Sequence, residues 1–382
     1  MKAFLRNNYV FLLIGISLIS SLRTLFLAPI ADQLTYIEIA NSIITKGEYA
    51  FNGQPSTFTP TIPFLVALFY VKSAPILGLT FIKLANLVLM IVGLRFSYLF
   101  FKKIDLPSNI SLVIILLTAT NNNFVAWSTL IYPEAVLFCS LWVFLYYIID
   151  EIENPRQVLF WLIPFLFLVI TRYSYAVLGA IVAFILLKKL NELFVKKEFN
   201  KIGKIILFSA LLMIPLTIWF KYVLKVESEI SVEQSYFNRF KDHGVLYNIQ
   251  AGLGIIQHEN VTRINGIPAF ISLFVPKTGL RNWFVSIVLI LFFIMGYITQ
   301  WKFKEYRILF ITILLIMIGF VFSGTGFSRY WLVLLPGYWL GFYLIFKKFK
   351  LSDNYFVGLS LFLSIIYVLN ELRIDFLVLS KL

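Results

Sequence analysis

Cysteine, histidine and acid are all scarce in this sequence. A single cysteine, Cys139, closes no internal disulfide and leaves the redox compartment unreadable. Two histidines, His243 and His258, are too few for a His-rich metal site. Charged residues make up 14% of the chain, against about 25% in soluble globular proteins. Asp and Glu number only 19, so the 33 Lys and Arg leave a formal net charge of +14. No Gly/Ser-rich linker, internal repeat or low-complexity block interrupts the chain, apart from Asn121-Asn122-Asn123. There is no inverted repeat of the kind found in secondary transporters, and no Ala-x-Ala cleavage pattern follows the first apolar run. A secreted disulfide scaffold, a disordered tail and a cytosolic enzyme are excluded.

What fills the chain instead is apolar. Of its 382 residues, 60% are hydrophobic and 18% aromatic, with a mean hydropathy of +0.87. A helix crosses the hydrocarbon core with about 20 apolar residues. The clear candidates are Tyr9–Pro29, Thr80–Phe101, Pro133–Ile149, Ile205–Val223, Trp283–Thr299, Tyr330–Phe346 and Tyr355–Asn370. Shorter runs are Asn109–Thr120, Val158–Ile170, Tyr173–Leu187 and Ile308–Phe322, which brings the expectation to about 11 transmembrane helices. Ile62–Val71, set among Pro60, Pro63 and Pro75, is too short to span and reads as interfacial or re-entrant. The first span follows a signal-like Met-Lys-Ala-Phe-Leu-Arg, but its apolar run is long, and it is expected to stay as an uncleaved helix.

A charge of +14 suggests nucleic acid in a soluble protein, but in a membrane protein it reports topology. With the N-terminus inside, the inner segments hold 17 Lys and Arg in 55 residues, and the short outer segments hold 5 in 63. This asymmetry predicts an N-in, C-out chain and no nucleic-acid partner. The chain is expected to be one integral membrane domain over 1–382, all-α and polytopic. Two outer segments stand apart: the first outer loop, 30–59, and a long loop over 224–282 that suits acceptor selection.

Ionisable groups at membrane depth are costly and mark function by default. They are Arg23, Asp32, Lys83, Arg95, Glu134, Arg172, Lys221 and Arg329. Most fall at outer helix ends, so two carboxylates (Asp32, Glu134) and three cations (Lys83, Arg172, Arg329) are candidates to converge there. Plainer readings stand beside this one. Asp32 suits the N-cap of a helix in the outer interface, in which Leu34, Ile37, Ala40 or Asn41, and Ile44 recur at helical spacing and Gly47 is a natural C-cap. Glu134 suits a helix start after Pro133. Lys83 and Arg95 suit snorkelling anchors, and Arg172 and Arg329 interfacial ones. Arg23 is a possible partner for Asp32. Glu227, Glu229 and Glu233 have the spacing of a solvated helix face, and His258-Glu259 that of a solvent loop.

Several motifs then fall into a known order. They are Asp32-Gln-Leu-Thr-Tyr36, Ala40, Gly47, Thr59-Pro60-Thr-Ile-Pro63, Lys83-Leu-Ala-Asn86, Tyr132-Pro-Glu134, Thr171-Arg172-Tyr-Ser, and Arg329-Tyr330 followed by Pro336. The set resembles the GT-C glycosyltransferases, in particular the bacterial protein O-mannosyltransferase and aminoarabinose-transferase type. One departure is Gln33, which stands where many members carry a second acid, so Asp32 acts without a neighbouring carboxylate.

The resemblance implies a GT-C-like helical bundle with interfacial helices in the first outer loop and a cavity on the outer face. It also implies a sugar donor carried on polyprenyl phosphate and direct, inverting transfer to an acceptor hydroxyl of a protein, lipid or glycan. Asp32 is then the general base and Glu134 a second catalytic-site acid. Lys83, Arg172 and Arg329 would take the donor phosphate. Tyr36, Asn86, Tyr132, Tyr330 and His258 would contact substrate, and Trp127 lies near the same cavity. No cofactor is implied, with a divalent metal left open. The location implied is a bacterial inner or plasma membrane, with the site facing outside. The alternatives are a transporter or flippase of lipid-linked sugars, and an O-antigen polymerase- or ligase-like enzyme.

Overall fold

Apolar runs in lipid must satisfy their backbone internally, and helices do so. The computed structural model describes residues 2–69, 74–229, 244–256, 266–276, 280–324 and 328–380. Its helices are α1 (Lys2–Ser21), α2 (Asp32–Lys46), α3 (Thr61–Phe69), α4 (Pro75–Lys103), α5 (Ser108–Thr120), α6 (Asn122–Trp127), α7 (Glu134–Ile148) and α8 (Gln157–Thr171). They continue with α9 (Gly179–Val195), α10 (Phe199–Glu227), α11 (Gly244–Leu253), α12 (Trp283–Ile298), α13 (Lys304–Phe322), α14 (Ser328–Trp331), α15 (Leu335–Lys348) and α16 (Asp353–Leu379). All eleven expected runs are helical for most of their length. Among the described residues, five stretches are long and apolar enough to cross a membrane alone: Asn8–Phe26, α4, α10, α13 and α16. α5, α7, α8 and α12 are apolar but shorter.

Two runs differ from the expectation of continuous spans. After α8 the chain passes Arg172 in extended conformation and a 3-10 turn, Tyr173–Leu178, before α9 begins. Between α14 and α15 lies another 3-10 turn, Leu332–Leu334. Broken helices are tolerated at membrane depth where they are buried in protein or line a cavity. Arg172 and Arg329 sit at these two breaks.

The bundle packs α4 along α7, α7 on α8, α12 on α15, and α5 against α16. Its core is aromatic: Phe100 and Phe101 lie edge-on to Trp142, and Phe270 meets Tyr338 and Trp331. α12 and α15 approach closely because both carry glycine at the crossing. A Cβ on Gly296 would lie 2.0 Å from the Gly341 carbonyl oxygen. Small residues at such crossings let membrane helices gain van der Waals contact.

The first loop is ordered by its own chemistry. α2 ends at Gly47, which takes a left-handed φ of 71° and returns its N–H to Ile43 O. Next comes a two-stranded hairpin, β1 (Ala50–Phe51) and β2 (Gln54–Pro55). Asn52 and Gly53 both have positive φ at its turn, which suits a tight hairpin. The Asn52 N–H donates to Glu38 Oε1 at 2.7 Å, tying the hairpin to α2. The buried face of α2 is Gln33, Tyr36, Ile39 and Ala40. Leu34 and Ile44, of the apolar stripe read from the sequence, are exposed, as an interfacial helix requires of the side it turns to lipid.

Candidate active site

α2 starts abruptly. Ala31 has φ 50° and ψ −130°, a strained conformation for a residue with a Cβ. Asp32 is therefore the first helical residue and not the N-cap, and no side-chain cap bond forms there. Its carboxylate is turned outward to another segment. Arg329 Nη2, from α14, donates to Asp32 Oδ2 at 3.0 Å. The Asp32 side chain is 41% exposed and that of Arg329 13% exposed, so the carboxylate is at the mouth of the site and the guanidinium is inside it.

Behind this pair lies a second carboxylate. Glu134 opens α7 after Pro133 and is fully buried. Arg172 Nη2 donates to Glu134 Oε1 at 3.1 Å, and Arg329 Nε lies 3.7 Å from the same oxygen. One carboxylate oxygen therefore serves both guanidinium groups. The other, Oε2, accepts no hydrogen bond among the described residues.

Aromatic rings hold the cations in plane. Arg172 lies 3.6 Å from the Tyr330 ring centroid. Arg329 lies 4.5 Å from Tyr132, 5.1 Å from Tyr330 and 5.2 Å from Trp127. Stacking of this kind favours arginine over lysine. Tyr36 stands edge-on to Tyr132. Burial, with the Asp32 charge adding to it, pushes the Tyr36 hydroxyl well above its ordinary range, so it remains a neutral donor. Two arginines, two carboxylates, three tyrosines and Trp127 thus meet from α2, α6, the 128–133 loop, α7, the end of α8 and α14.

Other expected residues lie elsewhere. Lys83 does not join the arginines. Its ammonium donates to Thr24 O and Leu27 O, both at 2.8 Å, and so holds the 3-10 turn Leu22–Phe26 that follows α1. Asn86 donates to Leu130 O at 2.6 Å, which fixes the loop carrying Tyr132. Arg23 pairs with Glu371 at 2.5 Å and Asp375 at 2.8 Å, and not with Asp32. His258 lies outside the described residues, as do His243, Glu233 and much of the 224–282 loop. Gln33 Oε1 accepts from the Ile131 N–H at 3.2 Å, so the amide at this position ties α2 to the loop before Tyr132.

A second group of contacts is not foreshadowed by the motifs. Thr57 Oγ1 donates to Glu227 Oε1 at 2.5 Å, which removes Glu227 from the expected solvated face. Tyr173 Oη donates to Thr57 O at 3.2 Å and receives Trp219 Nε1 at 2.8 Å. Tyr222 Oη reaches Tyr49 O and Ser56 O. The end of α10 therefore clamps the 49–59 segment against the turn that follows Arg172. A sequence signal did exist: Trp219, Tyr222 and Glu227 sit at helical spacing at one end of a span. Among the described residues, no three His, Cys, Asp or Glu side chains group as metal ligands.

No protein-family model and no curated protein matches the chain. Solved structures do. ArnT from Cupriavidus metallidurans matches both in its apo state and bound to undecaprenyl phosphate, each at TM-score 0.57 and 14% identity. The match covers 93% of this chain for the bound form and 94% for the apo form, and 62% of the ArnT chain in both. This chain thus spans under two thirds of the length of those structures. At this identity the likeness is one of fold: the protein shares the helical fold of ArnT over nearly its whole length.

Proposed function

We propose that the protein is an integral membrane glycosyltransferase that moves a sugar from a polyprenyl-phosphate donor to an acceptor hydroxyl. The observation that carries this reading is the convergence of Arg172 and Arg329 on one buried carboxylate beside the half-exposed Asp32. The shared fold with an ArnT structure that holds undecaprenyl phosphate supports the donor class.

The chemistry follows from the parts. The acceptor oxygen attacks the anomeric carbon, its proton passes to Asp32, and the bond from that carbon to the phosphate oxygen breaks. A carboxylate at the mouth of the site is accessible to an acceptor arriving from water. Negative charge grows on the departing lipid phosphate, and guanidinium groups grip such oxygens bidentately. Glu134 sets both arginines before the donor arrives, so reorganisation during the reaction is small. Tyr330 lies against both, and Tyr36 offers a neutral hydroxyl beside Asp32. Displacement in line inverts the sugar. Lys83, with two of its three protons on carbonyls, shapes the turn before α2 and does not hold phosphate. The charge asymmetry supports an N-in, C-out chain with this site facing outward from a bacterial inner or plasma membrane.

The test is transfer from a synthetic polyprenyl-phosphate sugar by the purified full chain, with Asp32→Asn compared to wild type. Loss of the base is expected to lower turnover about 100- to 10,000-fold. Turnover within threefold of wild type would overturn the assignment of Asp32.

A further inference from the structure

The end of the bundle away from this site is also built for an anion. α7 runs from Glu134 in the cluster to Ile148, about 22 Å at 1.5 Å per residue. α13, Lys304–Phe322, runs the same course in reverse: Lys304 Nζ donates one proton to Ile149 O at 3.3 Å just past the end of α7, and the Phe320 ring packs on Tyr330. At the far end, α9, α13 and the connection from α7 to α8 enclose a groove of about 690 Å³. That volume lies within the usual range for a bound small molecule.

The groove has two halves. Its wall is apolar: Ile181, Phe184 and Ile185 from α9 face Ile308, Ile311 and Leu315 from α13. Its rim is cationic, with Lys188, Lys189 and Lys196 on one side and Lys304 and Arg307 on the other. Helical spacing makes this a continuous design, because residues 181, 184, 185 and 188 share one face of α9, and 304, 307, 308, 311 and 315 share one face of α13. Each helix therefore leads from an apolar stripe directly to positive charge at the membrane boundary.

The rim carries more cations than its acids neutralise. Asp150 is engaged by Lys103, and Glu192 by Lys189 at 3.7 Å. Among the described residues, no carboxylate lies within ion-pair distance of Lys188, Lys304 or Arg307, and Glu151 is the remaining acid of the lining. All three cations are exposed, as is Ala180 within the groove.

We propose that this groove binds one anionic glycerophospholipid of the surrounding membrane, its phosphate on Lys188, Lys304 and Arg307 and an acyl chain against the isoleucine and phenylalanine wall. Basic pockets between membrane helices take lipid headgroups in this way. A soluble anion would leave the apolar wall bare, and a zwitterionic lipid would leave the excess positive charge unmatched. The inference is independent of the glycosyltransferase reading, since no residue is shared between the two sites.

The full chain, purified in neutral detergent, is titrated with phosphatidylglycerol, phosphatidylcholine or inorganic phosphate, and lipid adducts are counted by native mass spectrometry. One phosphatidylglycerol adduct is expected, with phosphatidylcholine at least tenfold weaker. Lys188→Gln/Lys304→Gln/Arg307→Gln is expected to weaken binding about 100-fold, at roughly one charge contact per removed cation. Ala180→Trp, which fills the groove and keeps every charge, is expected to weaken it tenfold or more. Lys347→Gln/Lys348→Gln, cations at the end of α15 outside the groove, is expected to bind as wild type. The proposal fails if phosphatidylcholine binds equally, if the triple variant stays within threefold of wild type, or if Ala180→Trp has no effect. It also fails if millimolar inorganic phosphate displaces the lipid, which would show a small-anion site.

Discussion

Replacing Glu134 by Gln separates what this carboxylate does for the fold from what it does for the arginines. The substitution keeps shape and one acceptor oxygen but removes the charge shared by Arg172 at 3.1 Å and Arg329 at 3.7 Å. At an effective dielectric of about 20, each of these contacts has a gross Coulomb energy of roughly 5 kcal/mol. Desolvation offsets much of that gain in the intact pair, and breaking a buried pair from one side costs about 3–5 kcal/mol. The Arg172 contact is the shorter of the two, so the larger share of the loss falls on it. Chemical unfolding in mixed micelles should therefore show Glu134→Gln less stable by about 3–5 kcal/mol. Asp32→Asn breaks a pair whose acid is 41% exposed, and should cost only about 0–1 kcal/mol. Adding Arg172→Gln to Glu134→Gln removes the cation that faces the altered position and should recover part of the stability, a coupling of about 0.5–3 kcal/mol. If the double variant is as unstable as the sum of the singles, Glu134 and Arg172 are not coupled and the charge reasoning is wrong.

Three further outcomes are expected. Tyr330→Leu removes the ring under Arg172 and should raise the donor KM about tenfold, in line with a cation–π contact of about 1–2 kcal/mol, whereas Tyr330→Phe should change it less than threefold. Glu227→Gln weakens the hold on Thr57 and should lower kcat/KM about three- to thirtyfold, from the roughly 1–2 kcal/mol of a charged hydrogen bond, with acceptor-dependent assays as the readout. Lys83→Met should destabilise the turn after α1 while leaving donor affinity within threefold; a tenfold loss of donor affinity would return Lys83 to the phosphate site.

Much of this arrangement is legible in the chain, and the reasons differ from residue to residue. The apolar runs declare their helices because a span has no alternative in lipid. Asp32, Glu134, Arg172 and Arg329 stand out because charge is rare in such runs, and rarity is a strong signal. Their meeting depends on lateral packing, on which periodicity is silent. Lys83 has the right charge at the right helix end, yet its partners are carbonyls of a turn that hydropathy does not reveal. Gln33 reads as a missing acid but serves as a tie between α2 and Ile131. Glu227 reads as a solvated face because Glu229 and Glu233 follow it at short spacing, while its partner Thr57 is 170 residues away. The interruptions after Arg172 and before α15 are hidden because Tyr173–Leu178 and Leu332–Leu334 contain no charge, glycine or proline to mark a break.

The Asp32–Arg329 contact has a kinetic consequence. Under the proposed function, the proton acceptor and the grip on the leaving phosphate are paired with each other at rest, across 3.0 Å. A phosphate arriving on Arg329 competes with that carboxylate, and its success frees the acid to turn toward the mouth of the site. Access of an acceptor to Asp32 is thereby tied to occupancy at Arg329. Steady-state kinetics under this reading are ordered, with the lipid-linked donor first and the hydroxyl acceptor second. An acceptor that arrives early finds a carboxylate already engaged.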